Sequence, residues 1–202
     1  MHSEARLQGV ISSLPLSVQG GWAFRAVEGR FSSSINSVVG SLKVHGRFHH
    51  AADQVGTLYL GLNRESLLYE VHSQSQDVFL PFLMPPPTHD TVPFSLNLTR
   101  VLDLTDPVVQ EALGTSIQEL TGCWDYENTL YNRAAPTQIL ARVAALSGIQ
   151  ALRFLSARTA KLVNLAVFVR NVTHPLSASL SAEHPAQRVG SAQETPELLA
   201  VS

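Results

Sequence analysis

The sequence predicts an α+β fold, a mixed sheet with flanking helices, and three observations carry that expectation. Short segments rich in aromatic and apolar residues are bounded by glycine. Amphipathic segments with clear caps lie between them, and two apolar runs late in the chain read as closing strands.

Trp22 to Val27 and Thr57 to Gly61 are the first two strand-like segments, each next to glycine. Directly after the second, Asn63 can cap a helix whose Leu67, Leu68 and Val71 form an apolar stripe, which places Glu70 on that helix. Asp106-Pro107 supplies a cap followed by a first-turn proline, and Gly114 marks the stop of a short helix. Pro136 to Ser147 carries Ile139, Leu140, Val143, Ala144 and Leu146 on one face and ends at Gly148. Ile149 to Phe154 and Leu162 to Val169 then read as strands, the second apolar enough for the middle of a sheet.

A chain of 202 residues, 45% hydrophobic and 15% charged, suits one domain with a sizeable core. Residues 1–21 read as an N-terminal extension and 22–172 as the folded body. Residues 173–202, rich in Ser, Ala, Pro, Glu and Gln, read as a flexible tail. A net charge of -2 offers no field for nucleic acid or an anionic membrane, so direct contact with either is not expected. The first twenty residues hold no run apolar enough for a signal peptide or membrane span. Cys123, the one cysteine, permits no internal disulfide and points to the reducing cytoplasm.

Polar residues in apolar surroundings mark the candidate chemistry: His45-Gly46-Arg47-Phe48, Tyr59, Glu70, and Ser156-Ala157-Arg158 after a strand. Arg47 precedes Tyr59 by twelve residues and Tyr59 precedes Glu70 by eleven. His45, His49 and His50 lie in a loop with no carboxylate or thiolate at ligand spacing, so a lid or phosphate-contacting loop is expected in place of a metal site. Asp53 reads as a turn former and Cys123 as a small buried apolar residue. No Gly-x-Ser-x-Gly elbow surrounds Ser156, and no Gly-x-Gly-x-x-Gly turn opens a helix. A serine hydrolase and a dinucleotide-recycling dehydrogenase are therefore both poor readings.

These residues resemble the RES family, whose members carry a Gly-Arg-aromatic turn, a tyrosine ending a strand, and a helical glutamate eleven residues on. The likeness extends to Trp22-Ala23-Phe24-Arg25 as an opening strand, Leu102 to Pro107 in the middle, Gly148-Ile149 leading to Ser156-Ala157-Arg158, and the strand Asn164 to Phe168. It covers roughly residues 22 to 170. Three departures are visible: His45 and His49 stand where the family often has glycine and asparagine, the Arg47 to Tyr59 interval is longer, and Leu155 replaces a proline.

The resemblance implies a fold similar to the ADP-ribosyltransferase toxins and an NAD-consuming toxin, an NAD glycohydrolase or phosphorylase with water or inorganic phosphate as acceptor. NAD is then a substrate and no cofactor is implied. It also implies a cognate protein antitoxin that covers the active site. Glu70 would stabilise the oxocarbenium-like ribosyl cation as nicotinamide departs, and Arg47, assisted by Arg25, would hold the pyrophosphate through paired planar donors. Tyr59 would stack on the nicotinamide ring and hold the ribose, and Ser156 would hydrogen-bond the ribose or an attacking oxyanion. Two alternatives stand beside this reading: an ADP-ribosyltransferase acting on a macromolecule, and a nucleotide-binding module without turnover.

Overall fold

Alternation along five strands builds the centre of the molecule. The computed structural model describes residues 1–28, 37–64, 67, 89–158, 161–173, 177–178 and 187–189. In chain order the elements are α1 (Glu4–Ser13), β1 (Ser17–Glu28), α2 (Val39–Lys43), β2 (Thr57–Gly61), β3 (His89–Asp103), α3 (Pro107–Leu113), α4 (Ile117–Thr121), α5 (Asp125–Thr129), α6 (Pro136–Leu146), β4 (Ala151–Leu155), β5 (Val163–Phe168), β6 (Ser177–Ala178) and β7 (Gln187–Val189).

The mixed sheet and flanking helices are present as the sequence predicts. The strands run in the order β1-β2-β5-β4-β3, and β3 also pairs with β1, so the five strands close on themselves. The β3–β4 pair is parallel and the other pairs of this ring are antiparallel. Because side chains alternate across a strand, the ring has two faces. Ala23, Leu58, Leu60, Phe94, Val101, Leu165 and Val167 fill the inside. On the outside Leu102, Leu152, Phe154, Ala166 and Phe168 pack with Leu7 and Ile11 of α1, Leu113 of α3 and Leu140 and Ala144 of α6.

The capping signals translate directly into helix ends. The Asp106 side chain accepts a hydrogen bond from the Val108 amide (2.8 Å) at the start of α3, and Gly114 ends it at φ +64°. Gly148 follows α6 at φ +76°, a conformation that favours glycine. Leu146, placed by periodicity on the apolar face of α6, is exposed.

Three expectations are corrected. The N-terminal stretch holds a helix, and Leu7 and Ile11, four apart, are buried in the outer core. Beyond residue 172, β6 and β7 pair with the first half of β3. Backbone ladders need no apolar side chains, so composition gave no sign of these pairings. Cys123 is exposed, lying in the loop between α4 and α5. The sequence reading also predicts no strand at β3, although Val92, Phe94, Leu96 and Leu98 alternate as buried residues along it. Among the described residues, no helix is long and apolar enough to cross a membrane.

Candidate functional site

The Gly46–His49 segment is a tight turn whose ends pair with each other, Gly46 amide to His49 carbonyl at 3.0 Å and the reverse at 3.3 Å. Each residue of the turn is anchored to a different part of the fold. The Gly46 carbonyl accepts from Nε2 of Gln138 on α6 (2.9 Å). Phe48 is fully buried, its ring 4.5 Å from that of Phe154 on β4, and its amide donates to the Tyr59 hydroxyl (2.8 Å). Nη1 of Arg47 donates to the carbonyls of Leu120 (3.1 Å) and Gly122 (2.6 Å), which lie at the C-terminal end of α4 where helix carbonyls lack partners. Gln138 is itself completely buried, pairing with the Asn128 amide and the Ala135 backbone.

Tyr59 projects from the outer face of β2, paired with Ala166 of β5. Its hydroxyl accepts from Phe48 and lies 3.1 Å from Nδ1 of His49. Burial holds its ionisation well above the ordinary tyrosine range, with the Phe48 amide and the Arg47 charge opposing in part, so it stays a neutral phenol. His49 is buried too, and burial lowers its pKa to about 4. The charges of His45 and His50 add to that shift and the Val44 backbone opposes it.

Around this turn a cleft of about 510 Å³ opens, a size ordinary for small-molecule sites. His45, Gly46 and Arg47 form one wall, with Tyr59, Gly61, Phe154 and Asn164 from the strands, and Trp124, Ala157 and Arg158 from loops. Arg47 and Tyr59, expected from the sequence to share a site, are thus brought together. Ser156 is buried, its Oγ accepting from the Arg158 amide (3.2 Å), and its two successors line the cleft while it does not.

Arg25 is not brought to the cleft. Phe24 pairs with Gly61, which shares a face with Tyr59, so Arg25 falls on the inner face with Ala23, opposite Val92. Its Nη1 donates to the Ser37 carbonyl (3.1 Å), and burial lowers its pKa. Glu70 lies outside the described residues; Leu67, three positions earlier, is helical, buried and lines the cleft.

The residues that sequence reasoning missed as site components are Trp124 and Asn164, while Arg158, part of a segment that the sequence singles out, has no role assigned to it there. Asn164 had a visible signal, being the polar residue near the start of an otherwise apolar strand. Pairing with Phe154 and Gly61 turns it to the cleft, where it is 7% exposed. Among the described residues no group of three or more His, Cys, Asp or Glu is arranged to hold a metal ion. The loop imidazoles are engaged otherwise: Nδ1 of His45 accepts from the Ala51 amide (3.3 Å), and Nδ1 of His49 faces Tyr59. Asp53 is ion-paired to Arg142 at 2.8 Å.

The family model of the RES domain matches residues 22–189, more than three quarters of the chain and past the boundary at 172. No curated protein matches the chain. A chain of the solved M. tuberculosis MbcT-MbcA toxin-antitoxin complex is similar in structure, with a TM-score of 0.63 and 18% identity, and the match covers 92% of each chain. At that identity the likeness concerns the fold.

Proposed function

The chain belongs to the RES domain family, and on that premise we propose that it is the toxin of a toxin–antitoxin pair and destroys NAD by cleaving the bond between nicotinamide and ribose. The observation that carries this reading is the gathering of Arg47 and Tyr59, twelve residues apart in sequence, in one cleft with Arg158 and Asn164. Two guanidinium groups suit a pyrophosphate, because planar donors engage its oxygens in pairs. Tyr59 and Trp124 supply aromatic surface for a nicotinamide or adenine ring. Glu70 is assigned to the nicotinamide ribose, where a carboxylate stabilises the ribosyl cation formed as the carbon–nitrogen bond breaks. The bonding electrons leave with nicotinamide, which departs neutral. The anomeric carbon is then captured by water, which loses a proton, or by an oxygen of inorganic phosphate.

The likeness to a chain of a toxin–antitoxin complex supports a protein partner, a cognate antitoxin that covers the cleft. The compartment consistent with this role is the cytoplasm. Purified protein incubated with NAD, with and without inorganic phosphate, tests the reading by chromatography of the products. Nicotinamide with ADP-ribose, or with its phosphorylated form, is the expected result. Intact NAD refutes the proposal, and label retained on a macromolecule converts it to an ADP-ribosyltransferase. Glu70→Gln keeps the shape of the side chain and removes its charge, so cleavage should fall on the order of a hundredfold or more in a protein that remains folded.

A further inference from the structure

We propose that His49 is a positioning residue: its imidazole takes the Tyr59 hydroxyl proton and turns that hydroxyl to the Arg47 turn, so that Tyr59 has no proton to donate to its ligand. The consequence for catalysis rests on the function proposed above, whereas the hydrogen-bond arrangement stands by itself.

The Tyr59 hydroxyl has two hydrogen-bond partners among the described residues. A phenol has one proton and two lone pairs. The Phe48 amide, at 2.8 Å, occupies a lone pair, and Nδ1 of His49, at 3.1 Å, is the acceptor left for the proton. The reverse arrangement, with Nδ1 donating, leaves the Tyr59 proton without an acceptor among the described residues, whereas the forward one leaves the ring proton on Nε2, which has no hydrogen-bond partner among them either. Burial of His49, 6% exposed, keeps the ring neutral and its Nδ1 lone pair available.

The imidazole is also fitted to the turn. A side chain on Gly46 would place its Cβ 2.2 Å from Cε1 of His49, so the ring lies directly over the glycine. Arg47 sits between these two residues, and its backbone is held by the Gly46–His49 pairing at the turn's ends. The chain of contacts runs from β2 through the Tyr59 hydroxyl and His49 to the backbone that aims the Arg47 guanidinium. A tyrosine with its hydroxyl so engaged has no proton left to donate to a ribose.

The test compares His49→Leu, His49→Asn and Tyr59→Phe in the full chain, with two measurements. Amide hydrogen exchange at Phe48 is read by NMR without substrate, and kcat and KM for NAD are read separately. His49→Leu should speed Phe48 exchange roughly tenfold and weaken turnover by a similar factor, the scale of one hydrogen bond. Asn carries an acceptor oxygen near the Nδ1 position, so His49→Asn should restore both readouts to within about threefold. Tyr59→Phe should reproduce the leucine variant, with the double variant no worse than either single one. Unchanged Phe48 exchange and kinetics in His49→Leu overturn the proposal, and so does an asparagine variant that behaves like leucine. Should His49→Leu fail to fold, His49→Gln takes its place, since glutamine carries its amide near the Nε2 position and leaves none at Nδ1. A wild-type protein that leaves NAD intact refutes the function while Phe48 exchange still judges the hydrogen-bond arrangement.

Discussion

Arg47 and Arg25 were both expected to grip one ligand, yet they occupy opposite faces of the same ring of strands. Arg47 leaves a turn beside the outer face, donates from Nη1 to the carbonyls that end α4, and lines the cleft. Arg25 projects to the inner face, where it donates to the Ser37 carbonyl. The difference comes from the two-residue period of a strand: Phe24 and Ala26 share the face of Tyr59, and the residue between them cannot. Residue type nominates a ligand-binding arginine, but pairing register decides which arginine reaches the ligand.

Substitution at Arg47 should have the largest effect within this comparison. Lysine keeps a charge but cannot hold the α4 carbonyls and a pyrophosphate together, so NAD affinity in Arg47→Lys should drop roughly a hundredfold, about 3 kcal/mol. Titration calorimetry checks it, and unchanged affinity would remove Arg47 from the binding site.

The turn that carries Arg47 should also make stability depend on pH. His49 has a folded pKa of about 4 against an ordinary value of 6.5. Between these values the unfolded chain binds a proton that the folded chain refuses. The His49 contribution to stability therefore falls as pH drops from about 6.5 to 4, by up to about 3 kcal/mol, and levels off below. His50, whose pKa is also lowered by burial and by His45, acts in the same direction. Urea melts across this range should show the loss in the wild type and a flatter profile in His49→Asn.

How far the sequence disclosed the molecule depended on whether a feature was local. The Asp106 and Gly114 caps, the α6 helix and the span of β2 rest on neighbouring residues, and they are where the sequence predicts them. Closure of the ring was not legible, because it needs β1 to find β3, with Trp22 opposite Ser95 and Phe24 opposite Pro93. The Tyr59–His49 contact joins residues ten apart, yet nothing in the sequence separates a buried imidazole from a loop ligand. That distinction depends on Phe48 burying itself against Phe154, a contact across more than a hundred residues.

Gly46 offers a smaller, steric test of the Arg47 side. Alanine there would drive its Cβ into an imidazole already held by Tyr59 and by burial, so the ring or the turn must shift. Gly46→Ala should lower stability by about 1 to 3 kcal/mol, the usual cost of overpacking. The shorter side chain of His49→Asn should recover part of that loss. Chemical denaturation of the single and double variants measures the coupling, and additive effects would mean that the ring and the glycine are not matched.

The smallest effect on the ligand is expected at Arg25, and it tests the other half of the comparison. Arg25→Gln retains a donor for the Ser37 carbonyl but loses a charge that burial already disfavours, as its lowered pKa indicates. Removing that charge relieves desolvation while weakening a charge-assisted bond, and the two contributions oppose each other. The net change in stability should be about 1 kcal/mol or less. NAD affinity should stay within about threefold of the wild type, because a side chain on the inner face reaches the cleft only if β1 slips by one residue. Such a slip would also carry Ala23 off the inner face and expose it, against the packing of Phe94 and Leu58 in the same cluster. A tenfold loss of affinity in a folded Arg25→Gln protein would therefore show that the ligand reaches the inside of the ring, and that pairing register does not separate the two arginines.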